Sequence, residues 1–178
     1  MTDLARTFDT LWAMLETGTT DRDAPARHPV LATAGPNGAE ARILVLRRAD
    51  REGGTVSLYT DAATAKITDL AHEPRATLLV WDPAARLQIR LRVHVDARPG
   101  TAEEWEALSG AARAAYGGDP PPGHPIPSPD RHAPDADATR FTVLEARIAE
   151  IETLRLANPH ERARFSRADG FAGAWIAP

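Results

Sequence analysis

Lys66 is the one lysine of a 178-residue chain that carries twenty arginines. It stands in the segment YTDAATAKITDL, just after a strand-like run and inside a segment with helical spacing. If Thr60 or Asp61 caps this helix, Lys66 lies in its second turn, close to the hydroxyls of Thr60 and Thr64. A helix N-terminus with this lysine, and with Arg42 reaching it from a neighbouring strand, predicts a binding site for a phosphate group.

The same segment leaves a second interpretation open. The carboxylate of Asp61 must point away from the site, because it would otherwise repel a bound anion. A lysine on a helix can also be an ordinary solvated surface residue, and the segment taken alone favours that interpretation.

The composition limits the class of function. Hydrophobic residues make up 43% of the chain and charged residues 26%, so we expect a single folded domain over residues 1–178. The net charge of −4 argues against a large nucleic-acid interface. The chain has no cysteine, which excludes disulfides, thiolate catalysis and cysteine-ligated metals. No membrane helix or secretory leader is visible, so a cytoplasmic location is expected.

Hydrophobic periodicity predicts one helix followed by strands. An amphipathic helix is predicted over residues 4–17. Two strands are predicted around a turn at Gly35–Gly38, and the apolar run Ile43–Leu46 predicts that the second strand is covered on both sides. The segment RLQIRLRVHVDAR alternates apolar and polar residues, as on a half-buried antiparallel strand, and Gln88 lies on its polar face.

The second half of the chain is less regular. A short helix from Ala102 with a continuation to Tyr116 is predicted, followed by a proline-rich loop over residues 117–138. Residues 143–156 fit either a helix or a long strand with a bulge near Ala149–Glu150. A small antiparallel barrel with peripheral helices fits this order of elements, because no βαβ rhythm is present.

Four segments carry a family resemblance. RILVLRR, LYTDAATAK, PRATLLVWDP and RLQIRLRV, in this order and spacing, resemble the pyridoxamine 5'-phosphate oxidase family of split barrels that bind flavin mononucleotide (FMN). With the C-terminal RARF and WIAP, the resemblance covers roughly Pro29–Pro178. It implies a mainly β fold, a six-stranded-type antiparallel split β-barrel with peripheral α-helices. It also implies an FMN-dependent oxidoreductase with a small-molecule substrate, and a homodimer with the flavin at the subunit interface.

The resemblance assigns roles to individual residues. Lys66 would contact the flavin phosphate, and Gln88 would hydrogen-bond the edge of the flavin ring. Arg164 matches an arginine that reaches the flavin of the facing subunit. The implied cofactor contacts are Arg42, Ile43, Leu44, Val45, Leu46, Arg47, Tyr59, Thr60, Thr64, Lys66, Gln88 and Arg164.

Several positions depart from the family pattern. Ala65 stands where the family has an arginine beside the phosphate lysine, and Leu154 where it has an aromatic residue. Arg47 replaces a lysine that helps to hold the substrate phosphate, and the C-terminal Arg-x-His pair of the family is reversed here. We therefore expect a substrate other than pyridoxamine phosphate. Its candidate contacts are Arg113, His160 and Arg162, and no side chain is an obvious general acid or base.

Other classes of function remain open at this point. A split barrel can also hold flavin or haem without catalysis, and some relatives use a deazaflavin. Four residues of the proline-rich loop, His124, Asp130, His132 and Asp135, lack the fixed spacing of a metal site, so no metal is predicted.

Overall fold

The computed structural model describes residues 3–36 and 38–178, and one antiparallel sheet forms its centre. In this part of the chain the sheet has nine strands: β1 (Val30–Gly35), β2 (Gly38–Ile43), β3 (Leu46–Asp50), β4 (Thr55–Asp61), β5 (Arg75–Asp82), β6 (Leu87–Pro99), β7 (Phe141–Arg155), β8 (Glu161–Ser166) and β9 (Ala174–Trp175). The order in the sheet is β2-β1-β5-β6-β7-β4-β3, with β8 paired to β7 and β9 to β8. The predicted mainly β split barrel is confirmed. Asn37, in the predicted turn, lies outside the described residues.

Short helices surround the sheet. They are α1 (Leu4–Thr20), α2 (Ala65–His72), α3 (Ala102–Glu106) and α4 (Gly110–Arg113), with 3-10 turns at Pro25–Arg27, Pro129–Arg131, Ala138–Arg140 and Arg167–Asp169. The side chain of Asp3 caps the first turn of α1, and this helix runs three residues beyond the predicted 4–17. Within the described residues, no helix is long and apolar enough to cross a membrane.

The core lies between α1 and the inner face of the sheet. Leu11, Trp12 and Leu15 of α1 are buried in one cluster with the apolar side chains of β6, such as Ile89 and Leu91. The alternation predicted for β6 therefore puts its apolar residues in the core and its polar residues on the opposite face.

The structure decides between strand and helix for residues 143–156. This segment is part of β7, which pairs with β4 and β8 along one side and with β6 along the other. The register shifts where Arg92 pairs with Glu150 and Val93 pairs with Ile148, so Ala149 is the extra residue of a bulge. Pairing on both sides fixes the strand, which the apolar spacing alone could not do.

The prediction that the run Ile43–Leu46 continues a strand covered on both sides is wrong. β2 ends at Ile43, which is 65% exposed, and β3 begins at Leu46, which is buried. Between them the chain leaves the sheet, and the amide of Leu44 donates to the carbonyl of Pro29 at 3.1 Å. The apolar run therefore connects two strands instead of lying within one, because Ile43 faces outward and Leu46 enters the core.

Gly18 gives a test of how α1 packs. A Cβ at this position would lie 2.7 Å from the carbonyl carbon of Ala26, so the helix approaches the following turn too closely for a side chain. Gly18→Ala should lower the free energy of unfolding by about 1–3 kcal/mol, although helix propensity alone would raise it by up to about 1 kcal/mol. Urea denaturation measures the difference.

Gly110→Ala is the matched control, because a Cβ there meets no atom within 4 Å and Gly110 begins the helix α4. This variant should be as stable as the parent or slightly more stable. A Gly18→Ala protein that unfolds at the parent urea concentration would contradict the described packing of α1.

Candidate functional site

A cavity of about 330 Å³ lies where β4 ends and α2 begins, beside the connection between β2 and β3. We call it the Lys66 cavity, because the ammonium group of Lys66 contacts its wall. The lining residues are Ile43, Leu44, Val45, Arg47, Tyr59, Thr60, Asp61, Thr64, Ala115, Tyr116 and Pro122. Seven of the predicted cofactor contacts therefore surround one space, although they come from two separate segments of the chain.

Lys66 is held at this cavity by a buried hydroxyl. Its Nζ donates to Thr60 Oγ1 at 3.0 Å, and Thr60 is only 5% exposed. Thr60 Oγ1 lies 3.3 Å from Thr64 Oγ1, and Thr64 occupies the N-cap position of α2. The first amides of a helix have no intrahelical acceptor, so the ammonium, the hydroxyls and the positive end of α2 meet at one place.

The charge of Lys66 is not paired directly with a carboxylate among the described residues. Burial lowers the pKa of Lys66, and the nearby guanidinium of Arg42 lowers it further, while Asp61 and Asp69 act in the opposite direction. No carboxylate forms an ion pair with Lys66 in the described part of the chain. Two cations held close together and partly out of water are unfavourable, and a bound anion would relieve this cost.

Arg42 is fixed by a network that joins β1, β2 and α2. Its Nη1 donates to Thr33 Oγ1 at 2.6 Å, and its Nη2 lies 3.5 Å from Asp69 Oδ2. Thr33 Oγ1 also donates to Asp69 Oδ2 at 3.1 Å, and both residues are buried. Asp69 thus neutralises Arg42 from inside α2 and leaves Lys66 as the free cation of this pair.

The carboxylate of Asp61 does not face Lys66 as an ion-pair partner. Its Oδ1 accepts from the amide of Ala63 at 2.7 Å and from Arg140 Nε at 3.1 Å. Its Oδ2 accepts from the amide of Gly117 at 2.9 Å and lies 2.8 Å from Arg140 Nη2. Because these partners saturate the carboxylate, it does not prevent an anion from binding at the helix end.

The far wall of the cavity is aromatic. The guanidinium carbon of Arg47 lies 5.3 Å from the centre of the Tyr59 ring, and the buried Nε of Arg47 has no hydrogen-bond acceptor. Tyr59 and Tyr116 both pack on Phe141, with ring centres 4.9 and 5.1 Å away. Burial raises the pKa of both phenols, so they remain protonated. Tyr116 was not predicted from the sequence as part of this site, because the sequence indicated only that it ends a helical segment.

The remaining predicted cofactor contacts lie elsewhere. Leu46 is in the core, and Gln88 and Arg164 are outside the lining of the Lys66 cavity. Gln88 pairs with Trp81 on β5 and with Leu154 on β7, on the side of the sheet opposite the core.

This side of the sheet is an apolar surface with a charged border, which we call the outer face. Its apolar members are Val30, Ile43, Leu79, Trp81 and Leu154, which the strand registers place on one side of β2, β1, β5, β6 and β7. Ile43 is 65% exposed and Trp81 45%. Because Ile43 also lines the Lys66 cavity, the cavity and the outer face are continuous.

Arginines border the outer face in excess over carboxylates. The ion pairs are Arg90–Glu152, Arg162–Glu152, Arg92–Glu150 and Arg164–Glu150, with N–O distances of 2.8, 2.9, 3.2 and 3.9 Å. Glu152 is almost fully buried, and each carboxylate serves two arginines. The group therefore carries an excess of positive charge.

The three candidate substrate residues do not line the Lys66 cavity. Arg113 donates to two backbone carbonyls at the end of α3, at 3.0 and 2.8 Å. Arg162 is bound to Glu152, and His160 Nδ1 lies 2.7 Å from the carbonyl oxygen of Ala157. The structure does not bring these three residues together around one space, and their role stays a prediction.

A larger open cleft, of about 840 Å³, lies on β1, β5 and β6. Among the described residues, its lining is mainly small and lacks phenylalanine, tyrosine and tryptophan. Its arginines are already paired, Arg75 with Glu73 and Arg92 with Glu150. Unlike the Lys66 cavity, it offers no unpaired cation. Within the described residues, no group of three or more histidine or carboxylate side chains is placed to hold a metal.

Comparisons with known proteins give the same picture of the fold. Residues 25–155 match the sequence profile described as pyridoxamine 5'-phosphate oxidase. A pyridoxamine 5'-phosphate oxidase-related, FMN binding protein from Nostoc punctiforme PCC 73102 is similar at 24% identity, with a TM-score of 0.77 and 96% of each chain covered. PhzG from Burkholderia lata 383, solved with tetrahydrophenazine-1-carboxylic acid, is 18% identical, with a TM-score of 0.70 over 97% of this chain and 92% of its own.

An F420 reductase is also similar, at 17% identity and a TM-score of 0.51, over 78% of this chain and 93% of its own. No curated protein matches the sequence. At these identities the similarity to solved structures shows the fold, whereas the profile match covers most of the chain.

Proposed function

Because the chain belongs to the pyridoxamine 5'-phosphate oxidase family, we propose that it binds FMN in the Lys66 cavity and acts as an FMN-dependent oxidoreductase. The observation that carries the proposal is the uncompensated charge of Lys66, held by Thr60 at the positive end of α2 beside Arg42. Such a charge is stabilised by an anion, and a phosphate ester is the anion that a helix N-terminus binds well.

The residues present fit the phosphate. One hydrogen of the Lys66 ammonium goes to Thr60, which leaves two for phosphate oxygens. The hydroxyls of Thr60 and Thr64 can rotate toward the ligand, and Arg42 adds a second positive charge nearby. The family's neighbouring arginine is Ala65 in this chain, so Lys66 carries a larger share of the binding energy.

The cavity also fits the ring of a flavin. The backbone of residues 43–45 leaves the sheet along one side, and Arg47 Nε is a buried donor that lacks an acceptor. Tyr59 and Tyr116 form one wall of the cavity, and both phenols are protonated because burial raises their pKa. When bound, FMN supplies hydride transfer, and the side chains of the cavity hold and orient it.

The outer face supports a homodimer as the active form. Trp81 and Ile43 are exposed on one face of the sheet, where the polar Gln88 and Arg90 of β6 lie between the apolar side chains of β5 and β7. Exposed large apolar side chains of this kind are typical of a surface that another chain covers. A second copy seated there would border the Lys66 cavity, because Ile43 belongs to both surfaces. It would also bring the outward-facing Gln88 and Arg164 of one chain toward the cavity of the other, where the family resemblance needs them.

The substrate proposed here is a small molecule other than pyridoxamine phosphate. Arg162 already donates to the almost fully buried Glu152 at 2.9 Å, so a substrate phosphate would compete with this ion pair. Arg113 would have to give up two backbone carbonyls in the same way. Both candidate substrate arginines, Arg113 and Arg162, are thus already bonded within the fold.

The first test is the visible absorption spectrum of the purified protein with and without added FMN. We expect about one FMN per chain, and Lys66→Met should raise the Kd for FMN about 10–100-fold, because a charge-assisted hydrogen bond contributes roughly 1.5–3 kcal/mol. Arg48→Met, which removes one positive charge from an exposed position on β3, is the control and should change the Kd less than about twofold.

A colourless protein that ignores FMN would overturn the proposal. Separate titrations with haem and with a deazaflavin would then show whether the barrel binds either of these related cofactors. Lys66→Met protein that retains FMN as tightly as the Arg48→Met control would show that Lys66 does not hold the phosphate.

The pH dependence of binding gives a second test. The pKa of Lys66 lies below its ordinary value of 10.5 in the free protein, and a bound phosphate favours the protonated form. As the pH rises through this lowered pKa, the free protein loses the Lys66 proton, so the Kd for FMN should rise at pH values below 10.5. Fluorescence titration of FMN binding between pH 7 and pH 10 measures this change in the Kd.

Riboflavin is the control ligand, since it has the same ring and no phosphate. The ratio of the riboflavin Kd to the FMN Kd should fall as the pH rises, and Lys66→Met should abolish that trend. A ratio that stays constant in the parent protein would contradict an ionised Lys66 at the phosphate.

The dimer is tested by placing a charge on the outer face. Trp81→Arg should convert the parent dimer to monomer in sedimentation equilibrium and weaken FMN binding, since the charge would be buried against the second copy. Ile126→Arg, at another exposed apolar residue, should leave the dimer intact. A parent protein that is monomeric while it holds FMN would refute the interface model.

A further inference from the structure

The proline-rich segment, residues 117–138, forms a closed loop that we call the strap. Asp119 and Ala133 exchange two backbone hydrogen bonds across its base, at 3.0 and 2.9 Å. A further bond joins the amide of Asp137 to the carbonyl of Tyr116 at 2.9 Å. The ends of the strap are therefore tied together, and its position depends on what holds this base.

One buried ion pair holds the base of the strap to the Lys66 cavity. Asp61 is 3% exposed, and it binds Arg140 through both carboxylate oxygens, at 3.1 and 2.8 Å. Asp61 also accepts from the amide of Gly117 at 2.9 Å, while Arg140 Nη1 donates to the carbonyl of Gly118 at 2.9 Å. The Asp61–Arg140 pair is therefore hydrogen-bonded to both of the first two residues of the strap, Gly117 and Gly118.

This contact requires a glycine at the first residue of the strap, position 117. Gly117 has a φ of +127°, and a Cβ there would lie 2.7 Å from the backbone oxygen of Asp135. Both the backbone conformation and the lack of space exclude a side chain. The close approach lets the amide of Gly117 reach the buried carboxylate of Asp61.

The same carboxylate also fixes the opposite side of the cavity. Asp61 follows Thr60 directly, and its Oδ1 accepts from the amide of Ala63, just before α2. Tyr116 and Pro122, next to and within the strap, line the cavity across from these residues. One side chain therefore connects the lysine end of the cavity to the wall that the strap supplies.

We propose that Asp61 is a positioning residue that latches the strap onto the Lys66 cavity, so that Tyr116 and Pro122 form the wall beside which a substrate lies. The inference rests on the proposed function of the cavity, but it concerns the covering wall and not the phosphate contacts. The latch is Asp61 with Arg140, and its loss frees the strap while the barrel stays folded.

A second buried aspartate provides the matched control. Asp69 lies at the other end of α2, is 6% exposed, and pairs with Arg42 and Thr33. It makes no contact with the strap among the described hydrogen bonds and ion pairs. Asp69→Asn therefore removes an equivalent buried Asp–Arg pair and leaves the latch in place.

Hydrogen exchange followed by mass spectrometry tests the latch in the protein without added cofactor. In Asp61→Asn and in Arg140→Gln, the amides of residues 117–119, 133 and 135–137 should exchange at least about tenfold faster than in the parent. In Asp69→Asn they should exchange at the parent rate. The double variant Asp61→Asn/Arg140→Gln leaves no unpaired buried charge, so it keeps the test valid if either single variant unfolds.

Trypsin gives an independent readout. Arg131 is the one lysine or arginine within the strap, so cleavage there yields the diagnostic fragments 1–131 and 132–178. This cleavage should be faster in the latch variants and unchanged in Asp69→Asn. Strap exchange and cleavage at parent rates in both latch variants, or raised equally in Asp69→Asn, would overturn the proposal.

Added FMN separates the latch from the proposed function. FMN should slow strap exchange in the parent, and this protection should be lost in Asp61→Asn even at FMN concentrations that saturate it. Protection of the strap by FMN in Asp61→Asn equal to that in the parent would overturn the positioning role. If the parent binds no FMN, the proposed function fails, while exchange in the free protein still decides whether Asp61 holds the strap.

Discussion

The arrangement of the site depends on one unneutralised charge, the ammonium of Lys66. It is partly buried, close to Arg42, and held by a hydroxyl that brings no negative charge. The carboxylates nearby are committed to other partners, Asp69 to Arg42 and Asp61 to Arg140. An ammonium in such a place costs free energy until an anion arrives, and the cavity around it has room for one.

Asp61, just before α2, and Asp69, within it, show how two residues of the same type take different roles. Both are buried and both pair with an arginine, but Asp69 holds Arg42 on the neighbouring strands, whereas Asp61 holds the strap. The Asp69–Arg42 pair fixes the charged end of the cavity, and the Asp61–Arg140 pair fixes the strap beside it. The ion pair with Arg140 also weakens the repulsion that the Asp61 carboxylate would exert on a phosphate.

The outer face adjoins the cavity and is the surface on which the proposed second subunit would lie. The apolar side chains around Trp81 have no covering element in the described chain, and Ile43 joins this surface to the cavity. Arginines outnumber carboxylates at its border, which favours an anionic group near the junction. In the proposed homodimer, the outward-facing Gln88 and Arg164 of one chain would serve the cavity of the neighbouring copy.

The sequence by itself determined the split barrel, the family and the segments around Lys66, because strict alternation in β6 and the spacing of short motifs are local properties of the chain. Only the tertiary structure decided that β7 is a strand, that the chain leaves the sheet after Ile43, and that Asp61 turns toward Arg140. These outcomes depend on partners far away in sequence, and periodicity carries no information about such partners. The same reason explains why Tyr116 was missed as a wall of the cavity, since only the folding of the strap brings it there.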